Sequence, residues 1–297
     1  MTKIAYVSYH IQEIYTSTTE DEELTLLNFL LDKGLSIERV IWNDPLVDWG
    51  KYNLALLKSP WDYTEHLADF QQWLNQLESL GIQLLNPIDK VRWNMDKHYL
   101  QEIADAGLPV IRSLFLEKGS HLELEPLLDS FNVAKLIIKP CVSAGARDTY
   151  VLTVANFTEH QQQINQLLKE NAFIVQPFME EIFEGEWSFL FFNGKFSHCL
   201  LKVPKDGEFR VQHYYGGSVN TPDTAAKHIL EAQAYVTQFA EGCLYARVDG
   251  LIVNGALNLM ELELIEPYLF LNTNPDSLEN YYQALLAHLK EFSNPNN

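Results

Sequence analysis

The chain has 297 residues, 47% of them hydrophobic, and a formal charge of −19 at neutral pH. That length and apolar content suffice for one large or two to three smaller cores, while the acidic excess excludes a nucleic-acid or anionic-membrane surface, which needs cations to displace counterions. A phosphate-rich ligand held by a few focused cations stays open. No apolar run reaches the roughly 20 residues of a membrane span. Met1-Thr2-Lys3 leads straight into Ile4-Ala5-Tyr6-Val7, a short strand-like run with no secretory h-region. The three cysteines, Cys141, Cys199 and Cys243, form an odd set in a long chain, which favours free thiols in a reducing compartment and a cytoplasmic protein.

Residues 4–8 read as a first strand. From Glu20 to Lys33, Leu24, Leu27 and Leu31 recur at helical spacing, and Gly34 is the stop. Val40-Ile41-Trp42 is a second strand and Leu54-Ala55-Leu56-Leu57 a third, nearly all apolar, as for a strand covered on both faces. It runs into Lys58-Ser59-Pro60-Trp61-Asp62-Tyr63, a polar and aromatic cluster where open α/β sheets place ligand contacts. A helix over Tyr63–Leu80, with Phe70, Trp73, Leu74 and Leu77 inward, ends at Gly81, and Ile82–Pro87 is a fourth strand. This alternation predicts a small parallel-sheet domain over residues 1–90. No G-x-G-x-x-G follows the first strand, which argues against a dinucleotide site there.

Beyond Pro87 the rhythm changes. The spacing predicts a helix from Asn94 to Ala106, stopped by Gly107-Leu108-Pro109, and a strand over Val110–Leu116. A helix around His121–Phe131 and the strand Leu136–Pro140 follow. The small-residue stretch Cys141-Val142-Ser143-Ala144-Gly145-Ala146-Arg147 comes next. A strand at Thr149–Val154, a helix at Phe157–Lys169 and a strand at Phe173–Gln176 complete a second unit over 91–176. From 177 to 297 the pattern turns mostly antiparallel. Trp187–Phe192 and Lys195–Val203 flank the hairpin signal Asn193-Gly194. A charged, Gly-bearing loop (Pro204–Gly217) and a helix over Asp223–Glu241 lead to a last hairpin, and Asn294–Asn297 reads as a frayed tail.

That hairpin organises the rest. Tyr245–Val253 and Leu259–Pro267 flank Asn254-Gly255, a turn pair suited to positive φ at both positions. Alternation puts Arg247 and Asp249 on one side of their strand and Glu261 and Glu263 on one side of theirs. If the strands aim Asp249, Glu261 and Glu263 at one another, the repulsion must be relieved by protonation or a bound cation. Carboxylate oxygens of this kind suit Mg²⁺, with phosphate oxygens and water filling its other positions. The competing reading is an edge hairpin with a solvated acidic face. His10, His198 and His213 show no metal-ligand spacing together.

Several motifs occur in a telling order: Lys97 at a helix start, Lys139 ending a strand before a small-residue loop, Val175-Gln176-Pro177-Phe178, Gly185-Glu186-Trp187-Ser188, Arg247-x-Asp249 and Glu261-x-Glu263. Over essentially the whole chain this resembles the ATP-grasp superfamily. The first ninety residues resemble the domain preceding the grasp fold in glutathione synthetase and D-alanine–D-alanine ligase. The Met260–Pro267 run is similar to a branch of small ATP-grasp proteins that includes the cycloserine-forming ligase. The fold class implied is α/β (α+β), an ATP-grasp fold preceded by a small parallel-sheet domain.

The resemblance implies roles residue by residue. Lys97 and Lys139 reach the phosphates of ATP, with Lys202 also on the nucleotide, and the loop with Ser143, Ala144 and Gly145 closes over them through backbone N–H groups. Gln176 and Phe178 flank the adenine, while Glu186 or Glu184 accepts from ribose hydroxyls. Asp249, Glu261 and Glu263 hold Mg²⁺, with Mn²⁺ the alternative. Glu263 stands where the family's Glu-x-Asn pattern has Asn, so its role departs from the pattern. Arg210 and Arg247 are catalytic, steadying the γ-phosphate and the tetrahedral intermediate. Without the family pattern, Arg210 is a surface residue and Arg247 an ordinary partner of Asp249. By position, substrate contacts fall to Ser59, Trp61, Asp62, Tyr63, Gly216, Gly217 and Glu266.

The implied activity is ATP-dependent carboxylate–amine ligation through an acyl phosphate, on a small amino-acid-like or peptide-like substrate. An intramolecular cyclo-ligase, a non-catalytic ATP-binding module of the same fold, and phosphoryl transfer to a different acceptor are the alternatives. Small molecules are the expected partners, with no nucleic acid and no membrane. A homodimer, common in the resembling ligases, is the quaternary expectation.

Overall fold

The computed structural model describes residues 2–10, 22–212 and 215–293. Residues 20–21, His213 and Asn294–Asn297, which carried expectations above, lie outside that set. The first sheet contains β1 (Ile4–Ser8), β2 (Ile37–Ile41), β3 (Leu54–Ser59) and β4 (Gln83–Leu85), all parallel, in the order β2-β1-β3-β4. β1 and β3 are buried along their whole length, which explains their unbroken apolar character. Helix α1 (Glu22–Asp32) covers one face through Leu26, Leu27 and Leu30. Helix α2 (Leu67–Ser79) covers the other through Phe70, Trp73, Leu74 and Leu77. The helix expected from Tyr63 instead begins as a separate 3₁₀ turn at Tyr63–Glu65.

Two further corrections concern the next stretch. The single helix expected over 94–106 is two: α3 (Ile88–Asn94) and α4 (Tyr99–Asp105), with Lys97 in the turn between them. The strand expected from Val110 shortens to β5 (Leu114–Leu116), because the chain before it pairs elsewhere. Leu259 N–H donates to Pro109 O, and Ile111 N–H donates to Leu259 O. A proline without an N–H suits such an edge contact.

The second sheet is antiparallel, in the order β5-β8-β6-β7, with β6 (Leu136–Pro140), β7 (Tyr150–Leu152) and β8 (Phe173–Pro177). Helices α5 (Leu124–Phe131) and α6 (Phe157–Leu167) complete its core. The third sheet, also antiparallel, runs β11-β10-β9-β12-β13. Its strands are β9 (Glu186–Phe192), β10 (Lys195–Val203), β11 (Ser218–Asn220), β12 (Tyr245–Val253) and β13 (Ala256–Glu263). Both hairpin turns have positive φ at both positions: 46° and 71° at Asn193-Gly194, 51° and 76° at Asn254-Gly255. Helix α7 (Ala226–Phe239) packs on this sheet. A last helix, α8 (Ser277–Ser293), not foreseen from the sequence, places Tyr281 and Leu285 in the core beneath β1 and β3.

Candidate active site

The third sheet gathers charge on one face, and a β-bulge makes this geometry. Counting back from Asn254-Gly255, Val253 faces Ala256 and Gly250 faces Leu259. Regular pairing would then set Asp249 opposite Met260 and turn both glutamates to the far face. The register instead shifts between Asp249 and Gly250, so that Asp249 faces Glu261 and Arg247 faces Glu263. Met260 is the extra residue. The sequence carries the signal: Leu257 and Leu259 point into the core, and so do Leu262 and Leu264, with a spacing of three between the sets. Gly250 permits the close approach, since a Cβ there would stand 2.5 Å from Asn258 O.

Asp249 is 2% exposed and fully engaged. Its Oδ1 accepts from Ser188 Oγ at 2.6 Å and from Arg247 Nε at 3.0 Å. Its Oδ2 accepts from Arg247 Nη2 at 2.8 Å and Lys202 Nζ at 3.1 Å. Lys202 also donates to Glu186, its register partner on β9. Arg247 spans Asp249, Glu263 and Tyr268 O, the last at 2.9 Å. Burial alone would raise the Asp249 carboxyl, but Arg247 and Lys202 hold it well below the usual range. Burial likewise works against the Lys202 ammonium, and Asp249 and Glu186 override it.

The two lysines expected at the phosphates, Lys97 and Lys139, approach the same place from the second sheet's side. Lys97 Nζ lies 3.1 Å from Glu261 Oε1 and donates to Ser143 O at 2.9 Å. Burial would raise Glu261, yet Lys97 and Lys139 bring it below its ordinary value. Lys139, half-buried at the end of β6, is pulled down by burial and by Lys97, while Glu261 opposes the fall. Among the described residues no carboxylate lies within 4.0 Å of its ammonium. The acids outnumber these cations: Glu186, Asp249, Glu261, Glu263 and Glu266 stand against Lys97, Lys139, Lys202 and Arg247. Burial and then the neighbouring Asp249 and Glu261 push Glu263 up to about 8, against the pull of Arg247. Burial, Glu263 and Glu261 raise Glu266 well above a normal carboxyl. A confined excess of carboxylate oxygen is relieved by protonation, as at Glu263 and Glu266, or by a hard cation, and Mg²⁺ fits that donor set. The three hairpin acids are not drawn around one point, because Lys97 and Arg247 already occupy them. A metal here would exchange places with those cations.

The remaining expected residues fall into groups. Trp61 Nε1 donates to Glu266 O at 3.0 Å, and Tyr63 is buried with its hydroxyl raised by burial and by Glu266, Glu261 and Glu263. The strand-end loop and the hairpin acids therefore adjoin. Ser59 is turned into a network with Ser8 and Glu23, and Asp62 accepts from Trp42 Nε1 at 2.7 Å, so neither faces the acids. Ser143 Oγ donates to Pro140 O at 3.0 Å; Ala144 and Gly145 follow, and Arg147 Nη1 reaches Glu65 at 2.8 Å across to the first sheet's 3₁₀ turn. Gln176 Nε2 donates to Ser113 Oγ at 3.0 Å, and Phe178 packs between Phe183 and Phe209 with Lys135 Nζ 4.9 Å from its ring. Glu186 is buried and faces Lys202, whereas Glu184 is exposed at the end of a 3₁₀ turn. Arg210 is held by its own loop, ion-paired to Glu208 and 3.5 Å above the Tyr215 ring. Gly217 packs against the backbone of Val211, and Gly216 against the Lys205 side chain.

Three residues with a part in this arrangement were not singled out from the sequence. Ser188 faces Asp249 in register, and its position two residues after Glu186 on one strand was the available sign. Asn94 Nδ2 donates to Leu262 O at 2.7 Å and its Oδ1 accepts from Leu264 N at 2.8 Å, pinning the acidic strand. Asn86 does the same for Tyr245 and Leu264. No local pattern marks a buried amide of this kind.

Comparison with known proteins agrees with this architecture. The model of the D-cycloserine synthetase DcsG N-terminal domain matches residues 4–86, and that of the prokaryotic glutathione synthetase ATP-grasp domain matches residues 123–269. The cycloserine biosynthesis protein DcsG of Streptomyces lavendulae is 26% identical over 271 residues, covering 86% of this chain and 90% of that one. The crystal structure of D-cycloserine synthetase DcsG superposes with a TM-score of 0.84 at 25% identity, covering 96% of this chain and 99% of that one. D-alanine–D-alanine ligase from Bacillus anthracis, in complex with ATP, shares the fold with a TM-score of 0.69 at 14% identity, covering 99% and 100% of the two chains. Among the described residues no helix is long and apolar enough to cross a membrane. With the parallel sheet leading into two antiparallel ones and Lys97 meeting the acidic hairpin between them, the chain has the ATP-grasp fold, and its residues 123–269 match the ATP-grasp domain of prokaryotic glutathione synthetase.

Proposed function

We propose that the protein is an ATP-dependent carboxylate–amine ligase acting on a small amino-acid-like substrate. The observation that carries this reading is the meeting of Lys97 and Lys139 with Glu261, in register with Asp249 and beside Glu263. Cations for a triphosphate and oxygens for a metal are thus supplied at one buried place. Lys97 and Lys139 neutralise phosphate charge, and the pairing of Lys97 with Glu261 keeps that lysine in place before the nucleotide arrives. Arg247 rests on Asp249 and Glu263 before a metal arrives and would keep Tyr268 O as its backbone anchor once a metal takes those acids. Mg²⁺, held by Asp249, Glu261 and Glu263, would polarise the phosphoryl oxygens. A substrate carboxylate attacks the γ-phosphorus and ADP leaves; an amine then attacks the acyl carbon and phosphate leaves. Trp61, Tyr63 and Glu266 border the face where that substrate would lie.

An intramolecular version, in which the amine belongs to the same molecule as the carboxylate, is the second reading. It is favoured by the likeness to D-cycloserine synthetase DcsG in both the N-terminal model and the whole-chain superposition. An ADP-release screen over amino acids and small peptides, with products weighed by mass spectrometry, tests both. An amine-dependent condensation product supports intermolecular ligation, and loss of water from a single substrate supports the cyclase. Tight ATP binding with no turnover on any carboxylate would overturn both readings and leave an ATP-binding module.

A further inference from the structure

A second donor cluster stands beside Lys97. Asp96 and His98 flank that lysine in the turn between α3 and α4, and Cys141 follows the end of β6. One ligand atom from each of these three lies within 4.8 Å of the others, the one such set among the described residues. His98 Nδ1 is 2.5 Å from Asp96 Oδ1, and His98 Nε2 is 3.3 Å from Glu117 Oε1, just past β5. The ring is stacked on Phe115 with centroids 4.2 Å apart. Two chain segments far apart in sequence therefore bring a thiol, an imidazole and a carboxylate to one spot, with Glu117 on the ring's other nitrogen. The sulfur is at the bottom, in a residue 1% exposed, while the Asp96 and His98 side chains are 47% and 35% exposed and leave a path from solvent.

We propose that Asp96, His98 and Cys141 form a site for a borderline-soft divalent cation of the Zn²⁺ type. Sulfur and imidazole select such ions over Mg²⁺, so the site is chemically distinct from the all-oxygen set on the hairpin. His98 Nδ1, Asp96 and Cys141 supply three ligands and water the fourth. Glu117 accepts from Nε2–H, and Nδ1, which points its proton at Asp96, gives that proton up to solvent when the ion binds. Tetrahedral Zn²⁺ wants its ligand atoms roughly 3.3–3.7 Å apart, from bond lengths of about 2.0–2.3 Å. The Asp96–His98 pair must therefore open slightly to admit the ion while Cys141 closes in. The thiol releases its proton to solvent on binding. Burial, Asp96 and Glu117 hold that thiol up at about 12 against the pull of Lys97 and Lys139, so the ion itself must drive the proton off. The ion would clamp the turn that carries Lys97 to the strand end that carries Lys139 and Ser143. This inference does not depend on the ligase reading.

Co²⁺ is the probe, added to the full nucleotide-free chain in excess Mg²⁺. One equivalent should bind with a near-ultraviolet sulfur-to-cobalt charge-transfer band, and Zn²⁺ should abolish that band by displacement. Cys141→Ser should remove the band. His98→Gln should weaken binding more than about tenfold, and Glu117→Gln by about tenfold. No charge-transfer band in the native chain, or a band that survives Cys141→Ser, overturns the proposal. Should Cys141→Ser fail to fold, His98→Gln decides, because its side chain is partly exposed: undiminished Co²⁺ affinity there overturns it too.

Discussion

Lys97 Nζ stands 3.1 Å from Glu261 Oε1, so a cation suited to phosphate is paired with an acid suited to metal. On the proposed reading, opposite charges here hold one another until nucleotide and ion arrive together and replace both halves of the pair. Lys139, with no carboxylate so close among the described residues, has no equivalent tie.

The two lysines should therefore respond differently to removal. Lys139→Ala is expected to abolish ATP binding with little loss of stability. Lys97→Ala is expected to abolish binding and also to destabilise the fold by about 1.5–3 kcal/mol, since a charge-assisted hydrogen bond is lost. Calorimetric ATP titration and urea unfolding of both variants check this.

Asp249→Asn should keep much of the ATP affinity and stop turnover. It should also cost about 3–5 kcal/mol of stability, because Arg247 and Lys202 lose the buried charge that offsets theirs. Thermal unfolding separates that cost from the loss of catalysis. Equal turnover in this variant and the native chain would refute the metal assignment.

Glu263→Asn restores the residue usual at this position in the family. Arg247 keeps Asp249 as its partner, so the fold should persist and turnover should continue. The measured outcome is the ratio of Mn²⁺- to Mg²⁺-supported rates, which should change with the charge of the donor set. An unchanged ratio would place Glu263 outside the ion's reach.

Gly250→Ala probes the bulge. Its Cβ would meet Asn258 O at 2.5 Å and Leu257 Cδ1 at 2.9 Å, so β13 must shift beside Asp249. A cost of about 1–3 kcal/mol is expected, with turnover falling further than ATP affinity. Unfolding midpoints and initial rates measure the two effects.

Acid should weaken the fold through His198. It is 4% exposed on β10, with Nε2 at 3.0 Å from Leu269 O and Nδ1 at 3.0 Å from Ser197 Oγ, partners that suit the neutral ring. Burial lowers its pKa below the ordinary 6.5. Unfolding therefore takes up a proton, so this contribution is complete above about pH 6.5 and falls as the pH drops through that value, by at most ~1.4 kcal/mol per pH unit. His288 is lowered by burial in the same way. Urea midpoints across that range should show a shallower acid slope for His198→Gln than for the native chain.

The parallel sheet and the acidic hairpin could be read from residues because their signals are local. Leu54–Leu57 is an apolar run, and Asn254-Gly255 fixes a turn. The break at Met95–His98 could not, since helical spacing continues through it and the turn is set by packing of Lys97 against Cys141 O. At the site, alternation sided Arg247 with Asp249 and Glu261 with Glu263, but the bulge that sets the two pairs face to face breaks that alternation. What holds each acid is tertiary: Lys202 comes from β10, Ser188 from β9 and Lys97 from the α3–α4 turn. Asp62 was expected beside the substrate and instead serves Trp42, a choice only the folded chain reveals.

Glu22, at the start of α1, accepts from Lys58 Nζ at 2.8 Å and from the backbone N–H groups of Leu269 and Leu271 at 2.9 Å each. Leu190, Phe192, Leu269 and Tyr281 share one apolar cluster with Ile4, Tyr6 and Leu54. The leading ninety residues consequently complete one of their two apolar clusters with residues from 190 onward. Expressed by themselves they would bare a greasy underside, and a ribosome must finish nearly the whole message before that segment can settle.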